Sequence, residues 1–189
     1  MNCKCLEVLT AEHKTILRIA DVLQAMSKTA EDHSEFNIED VGAVVQILRH
    51  FGDEFHQRKE ETALFPVFTA ACNPSEFAAV KHMLFEHEHD RSLINGMDDA
   101  IAQSNAAQFS EYGTQLANML RNHIYKEDNI LFETIGGSLS SADDAKVMTE
   151  FEFFERDFES RNKAELMERL RLLEWKYLRR VAWQQTRQT

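Results

Sequence analysis

Turn-forming residues are scarce in this sequence: six Gly and two Pro stand among 189 residues. A β-rich or loop-rich fold needs more of both, so the chain reads as all-α, built from its plentiful Ala, Leu, Glu, Gln, Met and Lys. Basic charge is also in short supply. Lys and Arg number 21 against 32 Asp and Glu, a net charge of -11, which argues against the basic face that nucleic acid or an anionic membrane surface requires. No apolar run approaches the roughly 20 residues that span a bilayer. The opening MNCKCLEVLTAEH has no apolar core of the secretory kind. Three cysteines, an odd number, suit reduced thiols and not a disulfide framework. The expectation is a cytoplasmic protein with neither a nucleic-acid nor a membrane partner. Cys3 and Cys5 are assigned no role.

What the sequence does have is one phrase written twice. HQRKEETALF from His56 and HIYKEDNILF from His123 share His, then Lys at +3, Glu at +4, an acid at +5, Leu at +8 and Phe at +9. Four residues carry a helix about 40° past a full turn, so His56 and Glu60 share a face, as do His123 and Glu127. An imidazole and a carboxylate aimed together at an apolar interior each need a partner there, and a metal ion supplies it. Two copies suggest two helices facing one another across a shared site.

Helix one is expected over about residues 6–28, with His13 between Leu9 and Leu17 on its apolar stripe. Taken alone, His13 reads most simply as a hydrogen-bonded core histidine. Residues 29–37 read as a loop, with Asn37 capping a second helix from Ile38 until Pro66 ends or kinks it. Helix three, about 75–103, carries His82, His87 and His89. His87 follows Met83 and Leu84 by one turn and faces the core, whereas His82 and His89 lie about 140° and 200° away and read as surface residues. Helix four, about 106–135, stops at Gly136 and Gly137, and Ser141 caps a fifth helix. The last stretch has apolar residues at helical spacing, with Trp175 and Trp183 available to pack on the bundle or on a second subunit.

Short connections imply an up-down-up-down four-helix bundle over residues 1–137, with residues 138–189 as a C-terminal helical extension packing on the bundle or on a partner subunit. His13, His56, Glu60, His87, His123 and Glu127 then converge from four helices. Six donors are too many for one tetrahedral zinc. They suit two octahedral ions bridged by the two carboxylates, and the nitrogen-rich set suits iron better than magnesium or calcium. Glu61 and Asp128, beside the motif glutamates, either accept hydrogen bonds from the imidazoles or pair with Lys59 and Lys126.

AEHKTIL, FHQRKEETALFP, FEHEHDR and HIYKEDNILF together resemble the hemerythrin-like, or HHE cation-binding, family of non-haem di-iron four-helix bundles, over roughly residues 5–135. The resemblance implies His13, His56, Glu60, His87, His123 and Glu127 as iron ligands, the two Glu as bridges of an oxo- or hydroxo-bridged pair of iron ions. Oxygen-carrying members are known for five histidines, and this chain offers four inward ones. His33 is the candidate for a fifth. Fewer protein ligands leave positions open for a small diatomic ligand, oxygen or nitric oxide, and for binding or sensing it. Two other classes stay open: iron–sulfur cluster repair or nitric-oxide/peroxide processing, and a metal-free structural bundle. No catalytic residue is assigned. A homodimer through the C-terminal helix is a further expectation.

Overall fold

The computed structural model describes residues 3–160 and 163–185, except for the side chains of residue 160 and residues 180–185. Among the described residues there are six helical segments and no strand. Helix α1 is Lys4–His33. Helix α2 (residues 38–69) joins Ile38–Ile47, two π-helical stretches, Leu48–Gln57 and Glu60–Leu64, and Phe65–Thr69. Helix α3 is Pro74–Ala102. Helix α4 (residues 106–138) joins Ala106–Lys126, a π-helical Glu127–Leu131 and Phe132–Ser138. Helices α5, Ser141–Ser160, and α6, Lys163–Gln185, follow. No helix among the described residues is long and apolar enough to cross a membrane.

Asparagine side-chain oxygens satisfy the first backbone donors of three of these helices. Asn37 accepts from Asp40 N–H, Asn105 from Gln108 N–H, and Asn73 forms a capping box with Glu76. The pairing of side chains along neighbouring helices shows their directions. Thr10 and His13 meet Asp128, while Asp21 meets Arg121, so α1 and α4 are antiparallel. Gln57 meets Asp90 and Arg49 meets Asp98, so α2 and α3 are antiparallel too. The four helices enclose a core that includes Leu9, Ile16 and Leu23 of α1, Val44 and Phe55 of α2, Met97 of α3 and Leu116 of α4.

The sequence-based boundaries need three corrections. Helix α1 continues through residues 29–33, because Ala30 is buried and Lys28 pairs with Asp32 at 2.6 Å on the exposed side. Gly136 and Gly137 do not stop α4: neither takes a positive φ, and the helix runs on to Ser138. A Cβ at Gly136 would come within 3.3 Å of Leu6 Cδ1, so this glycine allows α4 to approach α1 closely. The cap of α5 is Ser140, one residue before Ser141, with its Oγ accepting from Asp143 N–H. Pro66 stands two residues after the end of a π-helical stretch, and α2 ends three residues beyond it at Thr69.

Helices α5 and α6 lie against α1 and α2. Phe158 stacks on Phe55 with ring centroids 4.3 Å apart, Arg18 forms a two-bonded pair with Glu174, and Tyr177 donates to Asp40 at 2.6 Å. Trp175 does not join this packing: it is 64% exposed. The side chain of Trp183 lies outside the described residues.

Candidate metal centre

A π-helical stretch begins at the same place in each copy of the repeat, at Glu60 and at Glu127. Nine residues of regular α-helix would put Phe65 about 180° from His56, on the opposite face. A π turn absorbs one residue and reduces that angle to about 80°. The Phe of each copy therefore turns inward with its His. Phe65 lies parallel to His87 at 6.3 Å, and Phe132 lies parallel to His13 at 5.5 Å.

All six expected donors meet in the middle of the bundle, each at most 3% exposed. Four carboxylates orient the four imidazoles. Asp128 faces His13 Nδ1 at 2.8 Å, Glu12 faces His56 Nδ1 at 2.9 Å, Glu61 faces His87 Nδ1 at 2.8 Å and Glu86 faces His123 Nδ1 at 2.8 Å. The pattern closes on itself: α1 holds the histidine of α2, α2 that of α3, α3 that of α4, and α4 that of α1. An ionised carboxylate only accepts, so Nδ1 carries the proton and a neutral ring points its Nε2 lone pair inward.

Inside this ring lie two groups of possible ligands, His13, His56, Glu60 and Glu127, and Glu60, His87, His123 and Glu127, with the ligand atoms of each group within 4.8 Å of one another. Glu60 and Glu127 belong to both. His13 Nε2 and all four carboxylate oxygens of Glu60 and Glu127 are buried without a hydrogen-bond partner, which the interior of a protein tolerates poorly. His87 Nε2 and His123 Nε2 are 3.1 Å apart. Rings protonated at Nδ1 alone would set two lone pairs against each other there. An added proton on one ring relieves this, and so does a shared ion, since adjacent positions of an octahedral ion with bonds of about 2.1 Å to nitrogen are about 3 Å apart. The donor set therefore fits bound cations.

Without a cation these groups compensate one another's charge. Burial, then the neighbouring Glu127, pushes Glu60 well above the usual carboxyl range. Burial would raise Glu127 as well, but His123 and His13 overcome it and hold that carboxyl well below its usual range. His13 loses basicity by burial yet is carried up to about 10 by Asp128 and Glu127, while burial takes His56 down to about 4 against the opposing Glu12. A divalent cation supplies the positive charge that shared protons supply in its absence.

Of the two readings of the motif acids the first holds and the pairing with Lys59 and Lys126 does not. Glu61 and Asp128 hold imidazoles, and Lys59 and Lys126 pair instead with Glu12 and Glu86, the residues before His13 and His87. Lys59 is fully buried, also donates to Glu155 of α5 at 2.7 Å and lies 3.8 Å from the centre of the Phe55 ring. Lys126 is 30% exposed. Removing Lys59 takes from buried Glu12 its lysine partner and empties a fully buried position, so Lys59→Ala should destabilise the chain by about 3–5 kcal/mol. Lys126→Ala should cost about 1 kcal/mol or less. Urea unfolding of the two variants checks the contrast, and equal losses would contradict it.

Among the described residues the other four histidines stay out of the centre. His33, His82 and His89 are exposed, and His50 pairs with Glu54 at 2.9 Å. His33 is also 20 residues from His13 along α1, a rise of about 30 Å, so it supplies no fifth ligand. Four residues after His87 stands Arg91, which binds Asp53 at 2.8 Å and Glu61 at 2.6 Å. Comparison with curated proteins gives no significant match. A family match covers residues 5–135, the span that contains all six donors and their carboxylate partners, and its description is the hemerythrin HHE cation binding domain. This chain, with its centre of paired imidazoles and carboxylates, belongs to that hemerythrin family.

Proposed function

We propose that the chain holds two iron ions in the two donor groups and uses them to bind or sense a small diatomic molecule, oxygen or nitric oxide. The observation that carries this reading is that both groups contain Glu60 and Glu127, as two ions bridged by two carboxylates require. Nitrogen-rich donors favour iron over magnesium and calcium, and six donors exceed what a single zinc takes. His13 and His56 serve one ion, His87 and His123 the other, with Glu60 and Glu127 as bridges. When bound, such a pair of ions supplies redox-active positions at which a diatomic ligand is held.

The protein contributes orientation and dryness. Asp128, Glu12, Glu61 and Glu86 fix the imidazole rings, while Phe65 and Phe132 cover His87 and His13. With no fifth inward histidine among the described residues, four imidazoles and two carboxylates leave positions free for an incoming molecule. Metal analysis of the purified chain, read with its optical spectrum in air and after addition of nitric oxide, tests the reading. The expected result is two iron ions per chain with absorption bands that change on ligand addition. One ion per chain, or zinc alone, would overturn it.

A further inference from the structure

One buried polar pair has no part in holding the imidazoles. Asp90 is 2% exposed, its Oδ2 accepts from Gln57 Nε2 at 3.0 Å, and its Oδ1 has no partner. A carboxyl buried with one neutral donor destabilises a fold. The adjacent Arg91 leaves it unrelieved, since that guanidinium binds Asp53, Glu61 and Glu88.

Its place along the bundle gives it a use. On α2 and α4 the step from His to Glu runs toward one end of the bundle. Helix α3 runs the other way, so the three residues from His87 to Asp90 climb about 4.5 Å toward the opposite end. Asp90 thus lies on the far side of the imidazole layer from Glu60 and Glu127. At the corresponding level α1 supplies Ile16 and α4 supplies Leu120, both buried and apolar. Asp90 is the buried acid beside these two apolar residues, and Gln57 is the amide that holds it.

We propose that Asp90, steadied by Gln57, is a specificity-determining residue that offers its Oδ1 to a small hydrogen-bonding molecule at the centre, on the side away from Glu60 and Glu127. This rests on the di-iron reading above. Burial pushes the Asp90 carboxyl up to about 7, which helps it keep a proton to donate.

The test compares the iron-loaded wild type with Asp90→Leu, Asp90→Asn and Gln57→Met, titrated with azide, which accepts strong hydrogen bonds, and with nitric oxide, which accepts weak ones. Asp90→Leu should weaken azide binding by about tenfold or more and leave nitric oxide within about threefold, as expected for one lost hydrogen bond to a charged group. Asp90→Asn, which keeps a donor, should stay within about threefold for azide, and Gln57→Met should fall between. The metal-free Asp90→Leu chain should melt within a few degrees of wild type, because loss of the unpartnered Oδ1 offsets the Gln57 amide left without its acceptor. Unchanged azide affinity in both Asp90→Leu and Gln57→Met, or equal losses for azide and nitric oxide, would overturn the proposal. So would loss of iron from Asp90→Leu, since that assigns Asp90 to metal retention. Failure of the wild type itself to hold iron would overturn the di-iron reading instead, and the two failures are told apart by its metal content.

Discussion

Stripping the cations with a chelator should lower the thermal midpoint of this chain by about 10 °C, followed by circular dichroism with and without added iron. The four oxygens of Glu60 and Glu127 and His13 Nε2 are buried with no hydrogen-bond partner beyond the imidazole–carboxylate ion pairs within the centre, and cations are what would satisfy them. A ligand present at a thousand times its dissociation constant adds about 4 kcal/mol to stability. For a chain of this size each kcal/mol moves the midpoint by about 2–4 °C. The helices should remain after stripping, because the apolar core from Leu9 to Leu116 is made without the centre. A midpoint insensitive to iron would mean that protons alone satisfy the buried acids, and the metal-free bundle would become the better account.

Glu127→Ala should abolish tight metal binding at both positions, whereas His56→Ala should leave the His87–His123 position filled. Glu127 belongs to both groups of donors, while His56 belongs to one. Even partners that only orient a ligand carry about 10–100-fold in metal affinity, so loss of a shared ligand should exceed 100-fold. In the metal-free chain the same substitution should lower stability, because His13 and His123 lose the carboxylate that compensates their charge. Equal metal loss in Glu127→Ala and His56→Ala would sink the assignment of Glu127 as a bridge.

The site was largely legible because the His–Glu spacing of four repeats and the apolar neighbours of His13 and His87 point those rings inward. Glu12 and Glu86 were missed. Each stands one place before a histidine, in Glu12-His13 and Glu86-His87, and is turned about 100° from it around the helix. A search for residues on the same face passes over them, although the repeated Glu-His pair was a visible signal. The π-helical stretches escaped for a related reason, since a period of 3.6 cannot register an absorbed residue. The clue was the interval from His to Phe in both copies, which no regular α-helix would turn to one side. Helix ends were the weakest part: glycine at 136 serves close packing and not termination, and Ala30 is drawn into helix by burial that local polarity conceals.

The carboxylate ring has an approximate twofold symmetry that the rest of the chain breaks. Glu12 and Lys59 repeat as Glu86 and Lys126, but Lys59 is roofed by α5 through Glu155, while Lys126 reaches the surface. Sister positions that began as equals are therefore set in unlike surroundings, one walled in by the chain's own tail and one near bulk water. The centre acquires a front and a back, and its His87–His123 side is the one whose supporting lysine meets solvent.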